Sequence, residues 1–208
     1  GSSDAMLIKY SPTGTKLWGT YYGGSGSDVG RGVTVDPGGM PSICGSTSSN
    51  LGIATAGGHQ SAFAGGFSDA FLARFHVNGT RMWGTYMGGS DTDVATGIVV
   101  SGAGLYAISG YSNSVAGIAS AGAADATYSG DTDAFVAQFT GGGTRSWSTY
   151  LGGSGHDIAE GIAFTGSYPV VCGYTTSTSG IALGATYDFT HNGLEDAFVV
   201  RYTGTGSK

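Results

Sequence analysis

Charged residues are scarce in this chain of 208 residues, which has eight lysines and arginines, fourteen aspartates and glutamates, and a net charge of -6. The few basic residues form no cluster, so the positive patch expected of a nucleic-acid-binding protein is missing. No apolar run approaches the roughly 18 to 20 residues that a membrane-spanning helix needs. No positively charged, apolar leader precedes the first predicted strand. We therefore expect no nucleic-acid partner and no membrane insertion.

Cysteine is also rare, since only Cys44 and Cys172 occur. Two cysteines fit neither a disulfide framework nor a metal site with paired ligands. They stand at matching places in two similar stretches, SICGST and VVCGYT, and we expect two buried free thiols. None of the four histidines pairs with a cysteine or another histidine at a spacing typical of metal ligands. The sequence thus predicts no metal and no cofactor.

Glycine and aromatic residues, by contrast, are abundant. Glycine accounts for 41 residues and aromatic residues for 12% of the chain. This composition is typical of short strands joined by many turns, because glycine adopts the positive φ angles of turns and the aromatic rings provide packing volume. A disordered chain would have fewer aromatic residues and more charge.

The chain is a tandem repeat. The segment SDAMLIKY at Ser3 recurs as SDAFLARF at Ser68, TDAFVAQF at Thr132 and EDAFVVRY at Glu195. A second block, LWGTYYGGSGSD, recurs twice with its tryptophan at Trp18, Trp83 and Trp147. A third block (GRGVTVD) and a fourth (PSICGST) each have counterparts in the later units. The units span about 3–67, 68–131 and 132–194, with a partial fourth at 195–208.

Each block has the period of two that is typical of a β-strand. Four short strands per unit, with one further copy of the first block, give thirteen strands in all. We expect an all-β, β-propeller-like tandem repeat of three four-stranded blades plus an extra strand. Each unit closes with a segment rich in glycine, alanine and serine, at residues 46–67, 111–131 and 174–194. The GIA motif that these segments share predicts that they pack down and are ordered.

Three blades cannot close a ring, because propellers usually have four to eight. We therefore expect either part of a longer repeat array or a homo-oligomer that closes by symmetry, with a six-bladed dimer as the simplest case. The expected partner is the remainder of such an array, a second copy or another protein, with a glycan as a further candidate.

The repeated string DAFLARF…NGTRMWGTYMGGSDTDVATGIVV resembles the SBBP family of bacterial β-propeller repeats. The resemblance covers essentially the whole chain. It implies an extracellular or cell-surface location in a Bacteroidetes-like bacterium and a structural or adhesive role, with no catalytic mechanism. One departure concerns the aspartate that follows the third block, which is Asp36 in the first repeat but Ser101 and Thr165 in the others.

The candidate site residues are the aspartates that end each Gly-Gly-Ser turn: Asp28, Asp93 and Asp157. Such a residue can fix its loop by accepting main-chain N-H bonds or can be a ligand of calcium, which needs six to eight oxygen atoms. Loop fixing is the simpler interpretation. The repeated tryptophans and the tyrosines Tyr21, Tyr86 and Tyr150 are expected to pack between blades rather than to stack on sugars.

The function that these patterns favour is a non-enzymatic structural or adhesive module that mediates protein interaction or assembly. The alternative is a lectin-like, carbohydrate-binding propeller. A propeller enzyme would need a pair of carboxylates in a cleft, and no catalytic residue is assigned. Strings of the GxSxG type are products of the glycine content.

Overall fold

A computed structural model of the chain describes residues 1–182 and 187–208. This part of the chain contains thirteen β-strands and no helix, which confirms the predicted class and strand number. The strands are β1 (Ala5–Tyr10), β2 (Lys16–Tyr22), β3 (Asp28–Val35), β4 (Pro41–Thr47), β5 (Asp69–Phe75), β6 (Arg81–Met87), β7 (Asp93–Val100), β8 (Tyr106–Ser112), β9 (Asp133–Phe139), β10 (Arg145–Leu151), β11 (Asp157–Thr165), β12 (Tyr168–Thr175) and β13 (Asp196–Arg201).

These strands form four antiparallel sheets in which neighbours in sequence are neighbours in space. Sheet I contains β1 and β2, sheet II contains β3 to β6, sheet III contains β7 to β10, and sheet IV contains β11 to β13. The grouping differs from the expected three four-stranded units plus one strand. Each sequence repeat straddles two sheets, because the chain leaves a sheet at the Gly-Gly turn that follows each aromatic strand. In the first repeat this turn is Gly23-Gly24, and β3 then begins the next sheet.

Three apolar clusters lie between successive sheets. Alternate residues of one strand point to opposite faces, so Phe71 packs with residues of sheet I while Leu72 packs with residues of sheet III. In sheet III, Val136 similarly packs with residues of sheet IV. The burial of both faces explains why β5 and β9 have almost no exposed side chains.

The Gly-Ala-Ser-rich segments pack down on the sheets, as their shared GIA motif predicts. Ile53 and Ile118 are fully buried, and Ile181 is nearly so. Four residues of the third segment, 183–186, lie outside the described residues. Within the described ranges, no helix is long and apolar enough to cross a membrane.

Candidate functional site

The three predicted site residues are the first residues of β3, β7 and β11. Each lies in the same kind of hydrogen-bonded pocket. In the middle repeat, Oδ2 of Asp93 accepts bonds from the Gly89 amide (2.7 Å) and the Ser114 hydroxyl (2.9 Å). Its Oδ1 accepts a bond from the Ser112 hydroxyl at 2.5 Å. Both carboxylate oxygens of this buried side chain are therefore engaged within the protein.

The first and third repeats reproduce this arrangement. Asp28 and Asp157 are also buried, and each accepts one bond from a main-chain amide four residues earlier and two from hydroxyl groups. The donors are Gly24, Ser49 and Thr47 for Asp28, and Gly153, Ser177 and Thr175 for Asp157. These bonds tie each Gly-Gly turn to the end of β4, β8 or β12 and to the serine two residues beyond it.

In the first three DAF blocks, the leading aspartate lies beside the site residue of the next sheet. A Cβ atom placed on Gly88 would lie 2.7 Å from Cγ of Asp69 and 2.7 Å from Oδ2 of Asp93. The same close approach occurs at Gly152, between Asp133 and Asp157. Each aspartate pair thus lies at a junction between two sheets.

The two members of a pair differ in their hydrogen bonding. Oδ2 of Asp69 accepts bonds from the Ala64 amide (2.8 Å) and the Gln60 side chain (3.0 Å). Oδ1 of Asp69 and Oδ1 of Asp133 are buried and accept no hydrogen bond. Burial raises the pKa of Asp69 to about 7, and the nearby Asp93 adds to the rise. Burial likewise raises the pKa of Asp93 and that of Asp133 to about 6.

The two inner aspartate pairs are enclosed by the protein. Asp69, Asp93, Asp133 and Asp157 are all 0% exposed, so a substrate has no route to them. Within the described residues, no group of three or more histidine, cysteine, aspartate or glutamate side chains could hold a metal ion. With their raised pKa values, Asp69, Asp93 and Asp133 can hold a proton near neutral pH.

Sequence reasoning missed the hydroxyl partners of these aspartates. They form the pattern Thr/Ser-x-Ser, which begins at the last residue of β4, β8 and β12. The pairs are Thr47 and Ser49, Ser112 and Ser114, and Thr175 and Ser177. Aligning the three repeats would have revealed the pattern, whereas its contact with the Gly-Gly-Ser turn becomes visible only in the folded chain.

The repeated aromatic residues pack between sheets, with one exception. Trp83 and Trp147 are buried, and their indole N-H groups donate to main-chain carbonyls in the next sheet, at Gly141 (2.9 Å) and Gly204 (3.0 Å). Tyr86 and Tyr150 are 1% exposed, but the equivalent Tyr21 is 77% exposed. The prediction of inter-sheet packing is therefore confirmed for the inner sheets, while Tyr21 lies on an open face.

Sheets I and IV each expose one apolar face whose counterparts are buried in the inner sheets. On sheet I the exposed residues include Met6 and Tyr21, and on sheet IV they include Val199. Val199 is 74% exposed, whereas the equivalent Leu72 and Val136 are fully buried. We call these two surfaces the end faces.

Cys172 also lies on the end face of sheet IV. It pairs with Val199 in the strand register, just as Cys44 pairs with Leu72. Both cysteines are free, as predicted, but only Cys44 is buried. The expectation of two buried thiols is wrong for Cys172, because no sheet in the described part of the chain covers this face.

Asp36 makes a contact that the other repeats lack. Its carboxylate forms an ion pair with Arg74 at 2.5 Å. Burial opposes the charge of Asp36, but hydrogen bonds from the Met40 amide and Arg74 outweigh it and lower the pKa of the carboxyl group. Ser101 and Thr165 cannot form such a pair, so this aspartate has no symmetric role.

A comparison of the chain with protein-family models and with curated proteins gave no match.

Proposed function

We propose that the chain is a non-enzymatic structural or adhesive β-propeller repeat module of a secreted or cell-surface bacterial protein, acting through protein interaction or assembly. The observation that carries this proposal is the difference in burial between equivalent residues. Tyr86 and Tyr150 are buried between sheets, while Tyr21 is exposed on the end face of sheet I.

The inner contacts indicate how an end face would be covered. The face of sheet II that carries Tyr86 packs on sheet I, and the opposite face packs on sheet III. The end face of sheet I is equivalent to the face of sheet II that packs on sheet I. The end face of sheet IV is equivalent to the face of sheet II that packs on sheet III. A further repeat could therefore pack on either end with the contacts that already join the inner sheets, and repeats added in this way form a ring or an extended array.

The other functions have less support. A lectin with one site between each pair of sheets would need accessible aromatic rings there, but Trp83, Trp147 and Tyr86 are buried. A propeller enzyme would need carboxylates in a cleft, and both inner aspartate pairs are closed to solvent. The extracellular location and the bacterial family rest on the sequence resemblance.

The proposal is tested by light scattering over a range of concentrations, together with assays for turnover of glycans, esters and peptides. We expect association through the end faces, weakened by Tyr21→Asp or Val199→Asp. Leu51→Asp is the matched control, because Leu51 and its counterparts Ala116 and Ser179 are exposed in every repeat. Substrate turnover, or association that neither end-face variant weakens, would overturn the proposal.

A further inference from the structure

Each of the two inner aspartate pairs contains one carboxyl oxygen that has no hydrogen-bond partner. In the pair of Asp69 and Asp93 this atom is Oδ1 of Asp69, and in the pair of Asp133 and Asp157 it is Oδ1 of Asp133. Both atoms are buried. A buried carboxylate oxygen without a donor loses the hydration of its negative charge and gains no bond in return. The free oxygen of each pair therefore needs either a proton or a cation.

The free oxygen faces the carboxyl group of the partner aspartate. A Cβ atom placed on Gly88 would lie 2.8 Å from Oδ1 of Asp69 and 2.7 Å from Oδ2 of Asp93. From the same position on Gly152, the two corresponding oxygens of the second pair lie at 2.6 and 2.9 Å. Because glycine has no side chain, neither residue places an atom in this space. A proton on the free oxygen would thus lie between the two carboxyl groups.

The hydrogen bonds around Asp93 determine which member of the first pair is negatively charged. The Ser112 hydroxyl oxygen accepts a bond from the Ser114 amide at 3.0 Å, and the Ser114 hydroxyl oxygen accepts one from the Asp91 amide at 2.9 Å. Both hydroxyl groups donate their own protons to Asp93, and the Gly89 amide is a third donor. A carboxylate accepts at both oxygens, whereas a protonated carboxyl group donates from one of them. Asp93 is therefore the carboxylate of its pair.

The third repeat has the same chain of donors. The Thr175 hydroxyl oxygen accepts a bond from the Ser177 amide at 2.9 Å, and the Ser177 hydroxyl oxygen accepts one from the Gly155 amide at 2.9 Å. Both hydroxyl groups donate to Asp157. Asp157 is therefore the carboxylate of the second pair, and Asp133 is its acid.

The bonding of Asp69 is that of a neutral acid. Its Oδ2 accepts bonds from the Ala64 amide and the Gln60 side chain, as the carbonyl oxygen of a protonated carboxyl group can, and Oδ1 is left to carry the proton. Burial raises the pKa of Asp69 to about 7 but that of Asp93 only to about 6. Three hydrogen bonds oppose the effect of burial at Asp93, against two at Asp69. The order of these pKa values agrees with the bonding.

The other titratable groups that face the first pair are Asp91, Tyr86 and Tyr150. Asp91 lies in the turn before β7, and its charge adds to the rise in the pKa of Asp93. The phenol groups of Tyr86 in β6 and Tyr150 in β10 are buried. Burial and the nearby aspartates raise the pKa values of both, so they stay neutral. None of these groups supplies a positive charge to the pair.

The second pair faces Tyr150 as well, together with Asp125 and Lys208. The charge of Asp125 adds to the rise in the pKa of Asp133, which is mainly due to burial. Burial lowers the pKa of Lys208, and the charges of Asp125 and Asp157 oppose this effect. The positive charge of Lys208 thus acts on Asp157, the carboxylate, and leaves Asp133 as the acid.

Each pair lies beside a main-chain hydrogen bond that joins two sheets. The Asp93 amide of sheet III donates at 2.7 Å to the carbonyl of Ser68, which precedes Asp69 in the chain. At the second junction the Asp157 amide donates in the same way to the Thr132 carbonyl, also at 2.7 Å. Two buried negative charges side by side repel each other and would weaken these bonds. The Asp93 and Asp157 amides therefore report on the state of the two junctions.

We propose that one shared proton closes each inner junction, and that the junction weakens when this proton is lost. At the first junction Asp69 donates it to Asp93. At the second, Asp133 donates it to Asp157. A hydrogen bond from a carboxylic acid to a carboxylate is charge-assisted and strong, whereas release of the proton to water leaves two adjacent carboxylates. These contacts lie inside the chain, so the junctions respond to pH whatever the end faces bind.

The test measures hydrogen exchange of the Asp93 and Asp157 amides by NMR. The rates are expressed as protection relative to an unfolded chain, which removes the direct effect of pH on exchange. A closed junction holds a proton that an open junction releases, so opening becomes easier as pH rises towards the pKa of the closed pair. We expect the protection of both amides to fall by up to about tenfold per pH unit between about pH 5 and 7, and then to level off.

Asp69→Asn separates the two junctions. The side-chain amide of asparagine can donate to Asp93 as the acid does, but it has no proton to lose in this pH range. The protection of the Asp93 amide should then lose most of its dependence on pH, while the Asp157 amide keeps its own. Asp133→Asn should have the reverse effect, so each junction is the matched control for the other.

Asp93→Asn tests the direction of the shared hydrogen bond. Its side-chain NH₂ group would meet hydroxyl and amide donors, so the protection of the main-chain amide at residue 93 should fall by about tenfold or more at every pH. If Asp93 rather than Asp69 carried the proton, Asp93→Asn would be the tolerated variant, and the proposal would be overturned.

Infrared spectroscopy of the wild-type chain needs no variant. The absorption of protonated carboxyl groups should persist at pH 6, where exposed aspartates and glutamates have ionised. Its loss by about pH 5, or an unchanged pH dependence of the Asp93 amide in Asp69→Asn, would overturn the proposal. So would protection at pH 7 that rises with calcium chloride but not with potassium chloride at equal ionic strength, because a cation would then join the carboxylates.

Discussion

Asp69 and Asp93 converge on Gly88 at the junction of sheets II and III. A side chain on Gly88 would lie 2.7 Å from atoms of both carboxyl groups, closer than a Cβ atom can approach. Only glycine therefore lets the two aspartates come together, and the Gly-Gly turn of each repeat is a packing requirement as well as a turn signal.

Gly88→Ala should destabilise the fold by about 1 to 3 kcal/mol, the usual cost of overpacking a well-packed site. The new methyl group must displace Asp69 or Asp93, and internal hydrogen bonds hold both. Urea denaturation measures the change in the free energy of unfolding. Gly102→Ala is the control, because a Cβ atom there meets nothing within 4 Å. Equal stability of the two variants would contradict the crowding at Gly88.

Asp69 should make the stability of the protein depend on pH. Because its pKa is raised to about 7, the folded chain binds a proton more tightly than the unfolded chain. The free energy of unfolding therefore falls as pH rises from about 4 towards 7. Asp69→Asn should reduce this slope and stabilise the chain at pH 8 by about 1 kcal/mol or more, because it removes a buried charge.

The slope should not vanish in Asp69→Asn, since the pKa values of Asp93 and Asp133 are also raised. The measurement is urea denaturation at pH 5, 6, 7 and 8. Asp131→Asn serves as the control, because that side chain is 75% exposed. An unchanged slope in Asp69→Asn would show that the buried carboxyl group does not take up the proton.

Much of the fold follows from local patterns in the sequence. The alternation in DAFLARF predicts β5, and the three copies of the Gly-Gly-Ser-x-x-Asp turn predict the hydrogen-bonded aspartates. The division into sheets could not be read in this way, because a repeat can be cut at any point without changing its period. That division depends on the chain leaving sheet I at Gly23-Gly24, so that Asp28 begins the next sheet, which is a matter of tertiary packing.

The sequence predicted the aspartates of the candidate site but not their partners, because those contacts also depend on tertiary packing. Asp93 stands out because it recurs, but its contact with Ser114 joins residues 21 positions apart. The exposure of Tyr21 was invisible, because its sequence context matches that of Tyr86. Only the position of each sheet in the array distinguishes the two tyrosines.

Tyr86→Phe and Tyr21→Phe remove the same hydroxyl group from equivalent positions. The Tyr86 hydroxyl donates to the Ser49 carbonyl at 2.7 Å in a buried contact, so its removal should cost about 1 kcal/mol. Tyr21→Phe should change the free energy of unfolding by less than about 0.5 kcal/mol, as expected for an exposed site. Thermal and urea denaturation of both variants provide the comparison, and a larger loss in Tyr21→Phe would mean that the end face of sheet I is covered in solution.

The two cysteines should report whether the end face of sheet IV is open. Burial raises the pKa of Cys44 to about 12, so this thiol should stay unreactive until the chain unfolds. Cys172 is exposed and should react with a thiol reagent in the native state. A Cys172→Ser variant identifies which thiol reacts.

If the end faces associate, labelling of Cys172 should slow as protein concentration rises and recover in Tyr21→Asp, because a sheet packed on this face covers Cys172 as sheet III covers Cys44. A labelling rate that stays constant while light scattering detects association would place the contact elsewhere on the surface.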